Sequence, residues 1–250
     1  MTRTDSGNPL LRLEHVSVVF DGFKALDIDA FAVNDHDVRV VIGPNGAGKT
    51  TLCDVISGKT PATTGRCLFD GADITRLADY QIARRGVGRK FQTPTVFGSL
   101  TVSENLELAT SGPGKGLMGL LRRPDDRLRV EIALVAASVG LESVLEVEAR
   151  RLSHGQRQLL EIGTLLIARP KLLLIDEPAA GLTDGETAAM ARLLRDLARD
   201  HTVIVIEHDM DFVRELNATV TVLHEGRILS EGPMHVVQQD PRVVDVYLGR

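Results

Sequence analysis

Two hydrophobic spacings alternate along the chain. Between Leu10 and Val41, apolar residues come in strand-sized runs (LRLEHVSVVF, ALDIDAFAV, VRVVI) broken by Asp21-Gly22 and by the polar residues 34–37. Runs of this kind, punctuated by turn formers, predict successive β-strands. Farther on the spacing becomes helical: Leu52, Val55 and Ile56 share one face within 50–57, and the same period runs through 74–85, 102–109, 129–139, 156–168 and 186–198. The continuous apolar runs at 172–175 and 203–206 lie between helical stretches, which predicts a parallel sheet buried on both faces. The pattern is that of an α/β protein.

Composition narrows this picture. With 250 residues, 43% of them hydrophobic, the chain can bury a substantial core as one domain. A net charge of −5 disfavours a partner held by phosphate neutralisation, so no nucleic acid is expected. Cys53 and Cys67 form no CxxC pair and suggest neither a disulfide framework nor a zinc site, which fits a reducing cytoplasm. No apolar run approaches the ~18 residues that cross a bilayer, so membrane work would need another chain to span it. Residues 1–9 read as a frayed polar tail without secretory features. The glycine-rich stretch 111–129, with Lys115, Arg122 and Arg123, reads as a solvated insertion.

Two segments carry chemistry. Gly43-Pro44-Asn45-Gly46-Ala47-Gly48-Lys49-Thr50 matches GxxxxGK[ST], and it follows an apolar strand and precedes a helix, as a phosphate loop requires. Its glycines let backbone N–H groups close on phosphate oxygens, Lys49 neutralises the outer phosphates, and Thr50 offers a hydroxyl to Mg²⁺. Downstream, Leu172-Leu173-Leu174-Ile175 runs into Asp176 and Glu177. Carboxylates at the carboxyl end of a parallel strand approach the same phosphates, Asp176 toward the metal and Glu177 toward the attacking water.

Between these motifs lies Leu152-Ser153-His154-Gly155-Gln156, which resembles the LSGGQ signature of ABC ATPases. Phe91-Gln92 resembles their Q-loop, Glu207-His208 their switch histidine, and Phe20-Asp21-Gly22 their adenine-stacking segment, with Phe23 in reserve. The resemblance covers nearly the whole chain. It implies a P-loop NTPase of the ABC type: a RecA-like core with an antiparallel β-subdomain and a helical signature subdomain. Residues 1–250 would be one ABC ATPase domain, with 9–91 and 153–250 as nucleotide-binding core and 92–152 as the mainly helical part. The implied ligands are ATP and Mg²⁺. By resemblance Phe20, Gly43, Pro44, Asn45, Gly46, Ala47, Gly48, Lys49, Thr50, Thr51, Gln92, Ser153, Gly155 and Gln156 contact nucleotide. Thr50, Gln92 and Asp176 hold the metal, and Glu177, His208 and Lys49 carry hydrolysis.

The same resemblance implies partners. Two copies, or this chain and a related ATPase, pair head to tail so that Ser153 and Gly155 of one reach the γ-phosphate of the other. Multi-span membrane permease subunits and, indirectly, a substrate-binding protein complete an importer, with this subunit peripheral on the cytoplasmic face of the inner membrane. Residues 88–97 and 100–106 resemble the branched-chain amino-acid and urea importer branch. Residues 57–60, Lys90 to Pro94, 152–156 and 240–250 look most like the first of the two urea-importer ATPases. Urea is therefore the expected cargo and branched-chain amino acids the alternative; a soluble ATP-gated switch is a rival of another class.

Departures from the family pattern are also visible. His154 stands where the signature has its first glycine, and Thr183 where many relatives have the D-loop aspartate, with Asp184 one place later. Cys53 falls in the first turn of the phosphate-loop helix, where thiol pKa values tend to drop, although packing is the simpler reading.

Overall fold

The elements sort into two sheets and the helices that cover them. The structure, a computed structural model, describes residues 9–90, 96–110 and 126–248. In chain order the strands are β1 (Leu11–Phe20), β2 (Phe23–Val33), β3 (Val38–Ile42), β4 (Thr64–Phe69), β5 (Ala72–Asp73), β6 (Val87–Lys90), β7 (Leu172–Asp176), β8 (Thr202–Ile206), β9 (Thr219–His224) and β10 (Arg227–Pro233). The helices are α1 (Lys49–Ile56), α2 (Asp79–Arg84), α3 (Val102–Thr110), α4 (Asp126–Ser138), α5 (His154–Leu166), α6 (Asp184–Leu197), α7 (Met210–Leu216), α8 (Met234–Val237) and α9 (Pro241–Leu248).

A six-stranded sheet has the order β10-β9-β3-β8-β7-β6, parallel from β9 to β6 with β10 added antiparallel at its edge. A four-stranded sheet, β2-β1-β4-β5, is antiparallel throughout. The central strands β7 and β8 are buried at every residue and split their side chains between two cores. Leu173, Ile175, Val203 and Val205 meet the side that carries α3 to α7. Leu172, Leu174, Ile204 and Ile206 meet α1 and the antiparallel sheet. Strands with no polar face are what a sheet covered on both sides demands.

Several boundaries differ from the sequence reading. The helical spacing over 74–85 shrinks to Asp79–Arg84, because Asp73 Oδ1 accepts from the Thr75 amide at 2.9 Å and from its hydroxyl at 2.5 Å. Such side-chain bonds compete with the helix. At the 34–37 turn it is His36 that takes a left-handed φ of 58°, with its amide bonded to Thr202 Oγ1 at 2.9 Å. Helix α4 starts at Asp126, inside the stretch read as a solvated insertion; residues 111–125 and 1–8 lie outside the described residues. No described helix is long and apolar enough to cross a membrane.

Candidate active site

Register gathers the chemistry at one edge of the parallel sheet. Val41 of β3 stands beside Ile206 of β8, Ile206 beside Asp176 of β7, and Ile175 beside Lys90 of β6. The segments that leave these strands therefore emerge together at the carboxyl end, where open parallel sheets bind ligands.

The first segment is the phosphate loop. Gly43 and Gly48 have φ of 154° and 102°, and space rules out a side chain at either. A Cβ on Gly43 would lie 2.2 Å from the Leu223 carbonyl oxygen, and one on Gly48 2.8 Å from that of Ala25. The Ala47 carbonyl accepts from the Gly226 amide at 2.9 Å, which ties the loop to the β9–β10 turn. Helix α1 then begins at Lys49 with no side-chain cap. The first amides of a helix have no partner within it, and here they belong to residues that line an open cleft. Lys49 Nζ donates to the carbonyls of Gly43 at 2.6 Å and Pro44 at 3.0 Å. Burial lowers the pKa of this ammonium, against the pull of Glu177 and Asp176.

That cleft, about 380 Å³, is lined by Asn45, Gly46, Ala47, Gly48, Lys49, Thr50 and Thr51, by Asp176 and Glu177, and by Phe20 and Phe23. Both aromatic rings are largely free, 49% and 68% exposed. An apolar ring left in water beside a phosphate cradle is a surface on which a base can stack.

Asp176, the last residue of β7, is only 6% exposed. Burial, followed by the neighbouring Glu177, pushes its pKa up, with Arg89, Lys90 and Lys49 acting against this. A carboxylate kept from water with a hydroxyl-bearing Thr50 in the same cleft suits a divalent cation carried in with phosphates. No group of three His, Cys, Asp or Glu side chains among the described residues could hold a metal by itself. The donor set thus fits Mg²⁺ shared with a nucleotide.

Glu177 adopts a left-handed φ of 48° while its amide still donates to Ile206 O at 3.0 Å. A non-glycine residue in that region costs on the order of 1 kcal/mol. The turn carries the carboxylate out of the strand line, and His208 Nδ1 lies 3.5 Å from Glu177 Oε1. The structure therefore brings Glu177 and His208 together from two adjacent strand ends.

Glu207 was named in the sequence only beside the switch histidine and was given no role of its own. It is 1% exposed, and its carboxylate accepts from the amides of Ala179 at 2.9 Å, His208 at 2.9 Å and Asp209 at 3.2 Å. It fastens the loop after Glu177 to the segment that carries His208. The one signal was a charged residue closing an otherwise apolar strand. Hydrogen bonds to a charged group are worth ~1.5–3 kcal/mol. Glu207→Ala should therefore destabilise the fold by about 2 kcal/mol and lower the melting temperature by roughly 4–8 °C, as followed by circular dichroism. An unchanged melting curve would show that the carboxylate holds nothing.

The signature residues are elsewhere. Ser153 caps α5: its Oγ accepts from the Gln156 amide at 3.1 Å while Gln156 Oε1 accepts from the Ser153 amide at 3.0 Å. This capping box gives the Ser-x-x-Gln spacing a local cause. Gly155 and Gln156 line a separate hollow with Leu182, Glu186 and Met190, and among the described residues neither they nor Ser153 line the phosphate cleft of their own chain. Thr183 makes the same kind of box with Glu186 at the start of α6, so the residue in the aspartate's place serves as a helix cap. Gln92 lies outside the described residues. Cys53 is fully buried and its thiol is pushed up to about 12, so burial outweighs the helix start and the packing reading stands.

Comparison with known proteins agrees with this geometry. The sequence profile of the family described as ABC transporter matches residues 26–180. A probable branched-chain amino acid transport ATP-binding protein, LivG of Methanocaldococcus jannaschii, is 36% identical over 96% of this chain and 97% of its own length. The high-affinity branched-chain amino acid transport ATP-binding protein BraF of Pseudomonas aeruginosa is 35% identical over 96% and 98%. Among solved structures, an ATP-binding cassette of an ABC transporter in its ADP conformation superposes with a TM-score of 0.87 at 33% identity, covering 98% of this chain and 100% of the other. A nucleotide-free cassette gives 0.86 at 33% identity, over 97% and 100%. The two-sheet α/β architecture is that cassette fold.

Proposed function

Because this chain belongs to the ABC transporter family and is one of its ATPases, we propose that it energises an importer of branched-chain amino acids from the cytoplasmic face of the membrane. The cargo rests on the relatives named above, which are described as branched-chain amino acid transport proteins over nearly their whole length. A urea importer is the second reading. It rests on the resemblance of residues 57–60, of the run from Lys90 to Pro94, of the histidine-bearing signature 152–156 and of the ending 240–250 to a urea-importer ATPase.

The mechanism joins the side chains in the cleft to His208 and, by the family resemblance, to Gln92. Phe20, with Phe23 beside it, stacks on the adenine. The loop from Gly43 to Thr51 wraps the phosphates, and Lys49 exchanges its two carbonyl partners for phosphate oxygens. Bound Mg²⁺ would neutralise the β- and γ-phosphate charge, held by Thr50, Asp176 and Gln92. Glu177 orients the attacking water and accepts its proton. His208, within reach of Glu177, steadies the γ-phosphate as charge develops on it.

A single observation carries the two-copy reading: Ser153, Gly155 and Gln156 do not line the cleft that holds Lys49 and Glu177. In a head-to-tail pair they would close the cleft of a second ATPase, an identical copy or a related one. Phe97, at the end of the segment by which ABC relatives grip their membrane subunits, is 55% exposed, and its backbone is held at both ends by the buried Asn105, whose Oδ1 accepts at 2.8 Å and whose Nδ2 donates at 3.1 Å. An exposed aromatic on a fixed backbone suits docking to a permease subunit.

The test is ATP-driven uptake by vesicles that contain the chain with its candidate permease and binding-protein partners, offered labelled leucine or labelled urea. Leucine uptake that is lost in Glu177→Gln is the expected result. Urea uptake would keep the mechanism and change the cargo, and phosphate release with no uptake of either would overturn the importer reading.

A further inference from the structure

The loop after Glu177 is pinned from three directions, and one pin comes from the signature helix. Glu207 holds the Ala179 amide, and the Thr183–Glu186 cap holds the far end. Between them the Ala180 carbonyl lies 3.0 Å from Nε2 of His154, the first residue of α5. A carbonyl can only accept, so the proton is on Nε2 and His154 is the donor. The side-chain amide of Gln158, one turn on, also approaches this nitrogen, with its Nε2 at 3.3 Å. A donor on Nε2 requires the Gln158 oxygen on that side, so with the two amide ends exchanged the one ring N–H is shared between the Ala180 carbonyl and that oxygen. Contact is close on the loop side too: a Cβ on Gly181 would stand 3.2 Å from the same ring nitrogen. The starts of α5 and α6 touch as well, because a Cβ on Gly155 would meet Glu186 Oε1 at 2.6 Å.

We propose that His154 is a positioning residue that couples the two half-sites of the chain. Its bond to Ala180 makes the first turn of α5, which is offered to the partner's nucleotide, move together with the loop that begins at Glu177. When the partner's γ-phosphate engages Ser153 and Gly155, the shift reaches Ala180, three residues from the carboxylate that orients water in the chain's own cleft. A glycine at position 154 has no side chain to make this link. The inference rests on the two-copy reading given above.

Two variants separate coupling from packing. His154→Phe keeps a ring of similar bulk without the donor, His154→Gln keeps an N–H donor of similar reach, and both are compared with the parent for kcat and KM of ATP hydrolysis by the purified full chain. The phenylalanine variant should lose about tenfold in kcat, the size of one hydrogen bond, with KM for ATP within twofold, and the glutamine variant should recover most of that loss. In a Glu177→Gln background, gel filtration with ATP should show the dimer weakened by His154→Phe and retained by His154→Gln. Equal kcat in all three proteins, or equal loss in both variants, would overturn the coupling. A Glu177→Gln parent that stays monomeric in saturating ATP would instead remove the two-copy reading, and this inference with it.

Discussion

With glutamine at position 177, phosphate release should fall by about 10²–10⁴-fold while ATP stays bound, and the protein should accumulate as an ATP-bound dimer. A general base contributes an effect of that order, and an amide of nearly the same shape cannot accept the proton. The substitution keeps the left-handed turn that aims the side chain, since that turn is fixed by the bond from the position 177 amide to Ile206 O. It also removes one of the two carboxylates that crowd the cleft, because Glu177 itself helps to push Asp176 upward in pKa. ATP binding should therefore be equal or tighter. Single-turnover phosphate release and gel filtration with ATP read both effects, and a variant that hydrolyses at the parental rate would assign water activation to another group.

Lys49→Ala should act at the earlier step. The ammonium is half-buried, bonded to two carbonyls of its own loop, and pushed down in pKa by that burial. A phosphate restores the charge balance that burial denies it. Removing one member of such a desolvated pair costs ~2–5 kcal/mol, so the affinity for ATP should weaken by about 10²-fold or more in a titration calorimeter. The Gly43 and Pro44 carbonyls lose their donor as well, which loosens the cradle. Parental affinity in this variant would mean that the backbone amides alone bind the phosphates.

These two residues were legible because their motifs are local. A strand, a glycine loop and a helix follow one another without a break from Val38 to Ile56, and the apolar run of β7 ends directly on Asp176 and Glu177. Periodicity likewise located α1, α3, α5 and α6 to within a few residues. The strands β4, β5, β6, β9 and β10 were not anticipated; β9 alternates valine with threonine although its four central residues are buried. β4 and β10 expose much of their length, and β5 and β6 have only two and four residues, so these four show no apolar rhythm. Long-range bonds were invisible for a different reason. Ala179 is 28 residues from Glu207, and Ala180 is 26 from His154, and no pattern within either segment names its partner. Ser153 is an intermediate case: Ser-x-x-Gln ahead of an apolar helix is a capping box, yet the cap does not say which chain's nucleotide the turn will meet.

The central claim, that hydrolysis at Glu177 drives import, is tested most directly by reading phosphate release and solute uptake at once in vesicles that hold this chain and its permease partners. The account predicts that both rise together when cargo-loaded binding protein is added, and that both vanish in Glu177→Gln. Uptake that persists in that variant, or hydrolysis that stays indifferent to the loaded binding protein while no solute moves, would contradict it.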